Sequence, residues 1–367
     1  SVNLYVHVPF CARRCSYCDF SIAVRRDVPS RRYADAVLQE WRGAQGDPGW
    51  RESPALDTVY FGGGTPSRLD PASLAAILEG LRAERPIAPD AEITLEANPD
   101  DVTPEAADRW RAAGIARASL GVQSFAPGVL AWMHRTHSAA QARGAVAVLR
   151  AAGFEDLSID LIYGLPPELR RDWEADLEEA FALEPDHLSC YGLTVEAHTP
   201  LGHWTARGQS GAVDEVQYAD EFLQFSAALA ARGWDHYEVS NAARPGRRAR
   251  HNSGYWTGAP YIGLGPSAHS ATAGERRWNI REYAAWDLAL REDRPTVEGR
   301  ERLAAAQLRI EALYLGLRTA AGVAAGLLEE AVRERWIAAG WARLEEGRLR
   351  LSPEGWLRLD ALVADAA

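Results

Sequence analysis

Two periodicities alternate through the first half of the chain. Short apolar runs with strand character occur at 3–10, 57–66, 91–99, 117–125, 157–166 and 186–196, and between them lie alanine-rich stretches with apolar residues three and four apart. The second set predicts helices over 31–44, 71–84, 103–114, 138–153 and 173–184. Pro71 and Pro104 stand near helix starts, and Gly114 and Gly153 stand where helices should stop. Strands joined through helices run parallel, so six in series build either an open doubly wound sheet or an incomplete (β/α) barrel. Glycine, proline, glutamate and glutamine collect at the C-terminal ends of these strands, the rim where both architectures place chemistry.

Beyond residue 200 the pattern loosens. A helix is expected over about 214–232, and 235–270 reads as mostly loop, rich in glycine, proline and aromatic residues. Helical period returns over 300–319 and again near 322–339. A hairpin turning at Glu346-Gly347 follows, and then a helix opened by Ser352-Pro353-Glu354. Helix, helix, hairpin, helix resembles a small winged-helix module. The expected organisation is therefore a β/α unit over 1–200, an extension covering it over 201–295, and a C-terminal unit over 296–367.

At 367 residues with 47% hydrophobic composition the chain has material for one large core and a smaller one. Its net charge of −11 argues against a broad nucleic-acid surface. No apolar run approaches membrane-spanning length and no leader-like segment precedes residue 7, so a cytoplasmic protein is expected. Three of the four cysteines crowd into residues 11–18, which is no disulfide framework.

Cys11, Cys15 and Cys18 follow the spacing C-x3-C-x2-C on the loop after the first strand. A closed structural zinc site needs four ligands, and a redox pair needs only C-x-x-C. Three thiolates suit a four-iron cubane with one iron left free for an exchangeable ligand. The bland alternative is an adventitious zinc site that borrows His7.

In its cysteine spacing, with Tyr17 just before the third cysteine, the sequence resembles the radical SAM superfamily. That resemblance implies a partial (β/α)6 TIM-type barrel, a [4Fe-4S] cluster, and S-adenosyl-L-methionine (SAM) chelating the free iron. It also implies that an electron donor is needed if SAM is to be cleaved to methionine and a 5′-deoxyadenosyl radical. Gly62, Gly63, Gly64 and Thr65 in "GGGTP" correspond to the segment that binds the methionine amino group. Glu96, Gln123, Arg135 and Asp160 match further SAM-contacting positions, and Tyr5 and Tyr17 are expected with them.

"YVHVPFCARRCSYCDF", "FGGGTPS", "DLIYGLP", "YEVSNAARPG" and "HNSGYW" narrow the resemblance to the HemW-like heme chaperones within the oxygen-independent coproporphyrinogen III oxidase-like family. The enzymes of that family carry another cysteine two residues past the third; here Phe20 stands instead, which argues against porphyrinogen decarboxylation. The resemblance implies heme as cargo, an apo-hemoprotein recipient that is soluble or membrane-associated, and a C-terminal HemN-like, winged-helix-like domain. The protein would be a monomer or a dimer, without nucleic acid. His251 in "HNSGYW" is the candidate heme ligand, with His7, His134 and His137 as lesser candidates. Arg244, Arg247, Arg248 and Arg250 are candidates for the heme carboxylates, and a solvated basic loop is their plain alternative. Cys190 reads as a buried small residue. A radical SAM enzyme acting on a porphyrinogen or a methyl acceptor is the second reading, and an iron–sulfur interaction protein the third.

Overall fold

In the computed structural model, which describes residues 2–46, 55–211, 213–272 and 274–366, the six expected strands form and lie side by side. They are β1 (Val2–Val8), β2 (Leu56–Gly63), β3 (Ile87–Ala97), β4 (Arg117–Gln123), β5 (Asp156–Tyr163) and β6 (His187–Gly192). Each pairs in parallel with the next. The helices between them cover the outer face, and their ends follow the local chemistry. Pro71 and Pro104 occupy the first turns behind the N-caps Asp70 and Thr103, and Gly114 closes its helix in the left-handed conformation.

The sheet runs to twelve strands. Asp235–Glu238 (β7) and Asn241–Ala243 (β8) extend it antiparallel beyond β6. Tyr261–Leu264 (β9) adds a seventh parallel strand beside β1, and His269–Thr272 (β10), Glu275–Asn279 (β11) and Val297–Arg302 (β12) continue antiparallel. The edge strands β7 and β12 are not paired to each other, so the barrel is partial.

Residues 235–270 are thus a correction to the loop expectation, since they contain four short strands and the helix Arg250–Trp256. Elements of three to seven residues carry too few periods to be seen in a sequence window, and their partners are distant in the chain. β12 likewise carries the sheet six residues past position 296. The helix expected near 322–339 is shorter, because Gly322 turns with φ +62°, Val323–Ala324 form a strand, and the helix spans Glu330–Ala338. The hairpin Ala342–Glu345/Arg348–Leu351 turns at Glu346 and Gly347, both with positive φ, and Ser352 caps the helix Pro353–Trp356. Helix, strand, helix and hairpin follow in winged-helix order. Among the described residues no helix is long and apolar enough to cross a membrane.

Candidate functional site

All three clustered cysteines open onto one cavity of about 420 Å³ at the C-terminal ends of the barrel strands. The loop bearing them is held at its root: Phe10 and Cys11 pair with Ala23 and Val24, and the Ser16 N–H donates to the Met133 carbonyl. Thr65 Oγ1 donates to Cys11 Sγ (3.4 Å) and Arg135 Nη1 to Cys15 Sγ (3.6 Å). Burial raises the Cys11 thiol above its ordinary value and pushes Cys18 up to about 12, so both resist ionising until a cation compensates the buried charge. Among the described residues no three histidine, cysteine or carboxylate groups converge on a single point as a mononuclear metal requires. Three thiols around one cavity fit the donor set of a polynuclear iron–sulfur cluster.

The glycine turn closes the floor. At Gly63, with φ +115°, a Cβ would stand 2.7 Å from the His7 ring, and at Gly64 it would stand 2.8 Å from the Pro9 backbone and 3.0 Å from Cys11 Sγ. No larger residue fits between the cysteine loop and the sheet. Glu96 Oε2 accepts from the Gly63 N–H (3.0 Å) and Oε1 from Tyr60 Oη (2.8 Å). Its carboxyl is raised to about 7, first by burial, which outweighs the bond from Tyr60, with the Asp160 charge adding to the rise.

On the facing wall Ser119 Oγ donates to both oxygens of Asp160 (3.0 and 3.2 Å), whose pKa burial also raises. Arg135 Nη2 donates to Asn98 Oδ1 (2.7 Å) and the Gly121 carbonyl (2.6 Å), which fixes a buried guanidinium between the rim and Cys15. Gln123 and His134, both lining the cavity, have positive φ (70° and 59°), a conformation other residues seldom adopt outside constrained sites. Tyr17, Gly63, Gly64, Thr65, Glu96, Gln123, Arg135 and Asp160 therefore line one cavity with the cysteines. Gly62 lies just behind it, packed against Tyr5 and Tyr60. Tyr5 does not reach the cavity: its hydroxyl donates to His7 Nδ1 (3.1 Å), whose Nε2–H is taken by the Ser21 carbonyl, and it lines a neighbouring space of about 370 Å³.

Tyr60, Asn98 and Ser119 are missing from the sequence-based set. Their signal was the two-residue strand period: each stands two positions from Gly62, Glu96 or Gly121 and so shares its face, and register pairs Glu96 with Ser119 and Gly121 with Asp160.

His251 is not placed as a heme ligand. It is 1% exposed; Nδ1 lies 2.6 Å from Thr58 Oγ1, Nε2 lies 2.8 Å from Tyr255 Oη, and the ring stacks on Tyr60 at 4.9 Å. Both nitrogens are engaged, and burial lowers its pKa to about 3. His7 and His137 are also buried and hydrogen-bonded to the Ser21 and Val122 carbonyls (2.9 and 3.1 Å). Of the four arginines nearby, Arg248 and Arg250 pair with Asp235 and Asp90 and Arg244 Nε donates to the Pro185 carbonyl, so the local fold uses these three. Cys190 is buried within β6.

A second space of about 700 Å³ lies beyond His251, walled by Tyr255, Trp256 and Tyr261 on one side and by Leu308, Ala312 and Leu315 of the helix Ala305–Leu317 on the other. The Arg276–Glu311 ion pair borders it.

A parallel partial barrel whose first loop brings three C-x3-C-x2-C cysteines to a strand-end cavity defines a radical SAM protein, and residues 5–180 match the radical SAM superfamily. The fold is similar to that of the Escherichia coli coproporphyrinogen III oxidase HemN, a radical SAM enzyme (TM-score 0.82, 22% identity, 99% of this chain and 89% of that one). In sequence the chain is 39% identical to a heme chaperone HemW of Mycobacterium tuberculosis over 98% of its length and 93% of the relative's. It is 34% identical to the mouse mitochondrial radical S-adenosyl methionine domain-containing protein 1 over 98% and 86%. The chain belongs to the HemW heme chaperone family.

Proposed function

We propose that the protein binds heme and hands it to an apo-hemoprotein in the cytoplasm or at a membrane surface, with a [4Fe-4S] cluster on Cys11, Cys15 and Cys18. SAM would lie against Gly63, Gly64, Glu96, Gln123, Arg135 and Asp160. The bound cluster supplies a one-electron reductant and a chelating iron for SAM. The protein's part is to hold the thiols, to offer Glu96 and Asp160 to an ammonium or ribose hydroxyls, and to keep water from the strand ends.

The observation that carries the cargo reading is the second space. It is the larger of the two, aromatic on one wall and aliphatic on the other, as a planar apolar macrocycle requires, and the Tyr261 hydroxyl makes no hydrogen bond among the described residues. Phenolate oxygen is an established heme-iron donor. Phe20, 58% exposed where the porphyrinogen-converting relatives have a cysteine, supports carriage over conversion.

Ala312 is exposed to this space, so Ala312→Trp fills it without touching the core. Hemin titration of the variant should show affinity lowered at least about tenfold, with iron and sulfide content of the reconstituted cluster unchanged. Unchanged hemin affinity would remove the site.

A further inference from the structure

The larger cavity carries a single cation in its walls. Among the described residues that line it, only Glu275, Arg276 and Glu311 are charged. The arginines at 244–250 are not part of its lining.

Strand register sets where Arg276 stands. Tyr261 of β9 lies opposite Ala271 of β10, and Ala271 lies opposite Arg276 of β11, so the three form one row on one face of the sheet. Two strand spacings, about 10 Å, separate the backbones of Tyr261 and Arg276. With the Tyr261 phenol facing the cargo iron, the guanidinium two strands to its side stands where the rim of a planar macrocycle falls.

Carboxylates of the protein itself now occupy Arg276. Its Nη2 pairs with Glu311 on the helix Ala305–Leu317, and its Nη1 lies 3.6 Å from Glu301 Oε1 on β12. Neither pair is locked in a core. The Arg276 side chain is 39% exposed, and every residue of the helix from 305 to 310 is exposed, so the wall carrying Glu311 has room to shift. Glu275, the third charged residue, is turned to Arg300 and Arg302 (3.5 and 3.3 Å). A guanidinium is a flat fork that binds any carboxylate in the same geometry. Exchanging the Glu311 carboxylate for one from a ligand therefore conserves the bonds and the charge around Arg276, while Glu311, itself partly exposed, returns to water.

We infer that Arg276 is the recognition point for a carboxylate of the cargo, and that Glu311 holds that point until the cargo arrives. The inference rests on the cargo reading above and deepens it: the cavity selects a tetrapyrrole with carboxylate side chains over an uncharged macrocycle of the same size. Apolar walls accept both alike, so the discrimination belongs to the one cation.

The test titrates the reconstituted protein with hemin and with hemin dimethyl ester, which keeps the iron and the ring and lacks the free carboxylates. The wild type should bind hemin at least about fivefold more tightly than the ester. Arg276→Gln should remove that preference by weakening hemin alone. In Arg276→Gln/Glu311→Ala the preference should stay lost, which separates lost recognition from repulsion by an unpaired Glu311. Glu311→Ala alone, which empties the fork, should tighten hemin at least about twofold and leave the ester unchanged.

Equal affinity of the wild type for the two ligands would overturn the inference and leave the cargo reading standing. An Arg276→Gln variant that loses both ligands alike, the mark of a collapsed wall, would also overturn it. So would a double variant that regains the preference, or a Glu311→Ala variant with no gain for hemin. Wild-type protein that takes up neither ligand would defeat the cargo reading and this inference with it.

Discussion

The cysteine loop and the "HNSGYW" helix are the two most conspicuous segments of this chain, and their side chains meet opposite fates. Cys11, Cys15 and Cys18 face a cavity with few partners, beside the Arg135 guanidinium, which donates to Cys15 Sγ as well as to Asn98 and Gly121. His251 sits inside the sheet with both ring nitrogens engaged and an aromatic ring against its face. A motif marks a place where chemistry is demanding, but only unused bonding capacity marks a ligand. By that measure the first segment has the free bonding capacity that a ligand site needs. The second is the brace between the strand-end cavity, through Tyr60 and Glu96, and the larger aromatic space, through Tyr255.

The largest expected effect breaks the cysteine side of this contrast. Replacing any one of Cys11, Cys15 or Cys18 by serine should abolish stoichiometric iron after reconstitution while the circular dichroism spectrum stays native, since these thiols hold no part of the fold together. A variant that kept the full cluster would break the assignment.

On the other side, His251→Ala should cost about 2–4 kcal/mol of unfolding free energy in urea, because it opens a cavity and strands the Tyr255 hydroxyl. Hemin affinity should change little in the folded fraction. Lost hemin binding at unchanged stability would restore His251 as a ligand.

A smaller effect separates the two regions by pH. With His251 held near 3 and His7, His137 and His236 near 4, the unfolded chain binds protons the native protein refuses. Their stability is present above the unfolded histidine pKa of about 6.5 and is lost as pH falls through the window below it. Glu96 has the opposite sign: with its native pKa at about 7, stability falls as pH rises from about 4.5 to 7. Glu96→Gln should flatten that limb, gaining on the order of 2 kcal/mol at pH 7.5 relative to pH 4.5, and should weaken SAM binding. The smallest effect is expected of Phe20→Cys, which restores a cysteine at an exposed position but should leave hemin binding intact and confer no porphyrinogen decarboxylation.

Much of this was legible in the chain because it is local. The six parallel strands, their helices and caps, and the residues at strand ends follow from periodicity and from Pro71, Pro104 and Gly114, and order along the chain becomes order around the rim. What the sequence hid depends on register and distant packing. Asn98 and Ser119 are ordinary polar residues until parallel pairing sets them beside Arg135 and Asp160. The β7–β10 segment is stabilised by strands as far as about 260 residues away in the chain, and Tyr5 leaves the cavity because Gly62 and Tyr60 stand between. The satisfied state of His251 is a property of Thr58 and Tyr255 together, which no spacing reveals.

The most direct test of the central claim is anaerobic reconstitution of the wild-type protein, with hemin titration and SAM cleavage assayed on the same preparation. The account predicts stoichiometric hemin binding and no turnover of SAM on a porphyrinogen. Robust turnover on such a substrate, with no hemin bound, would contradict it.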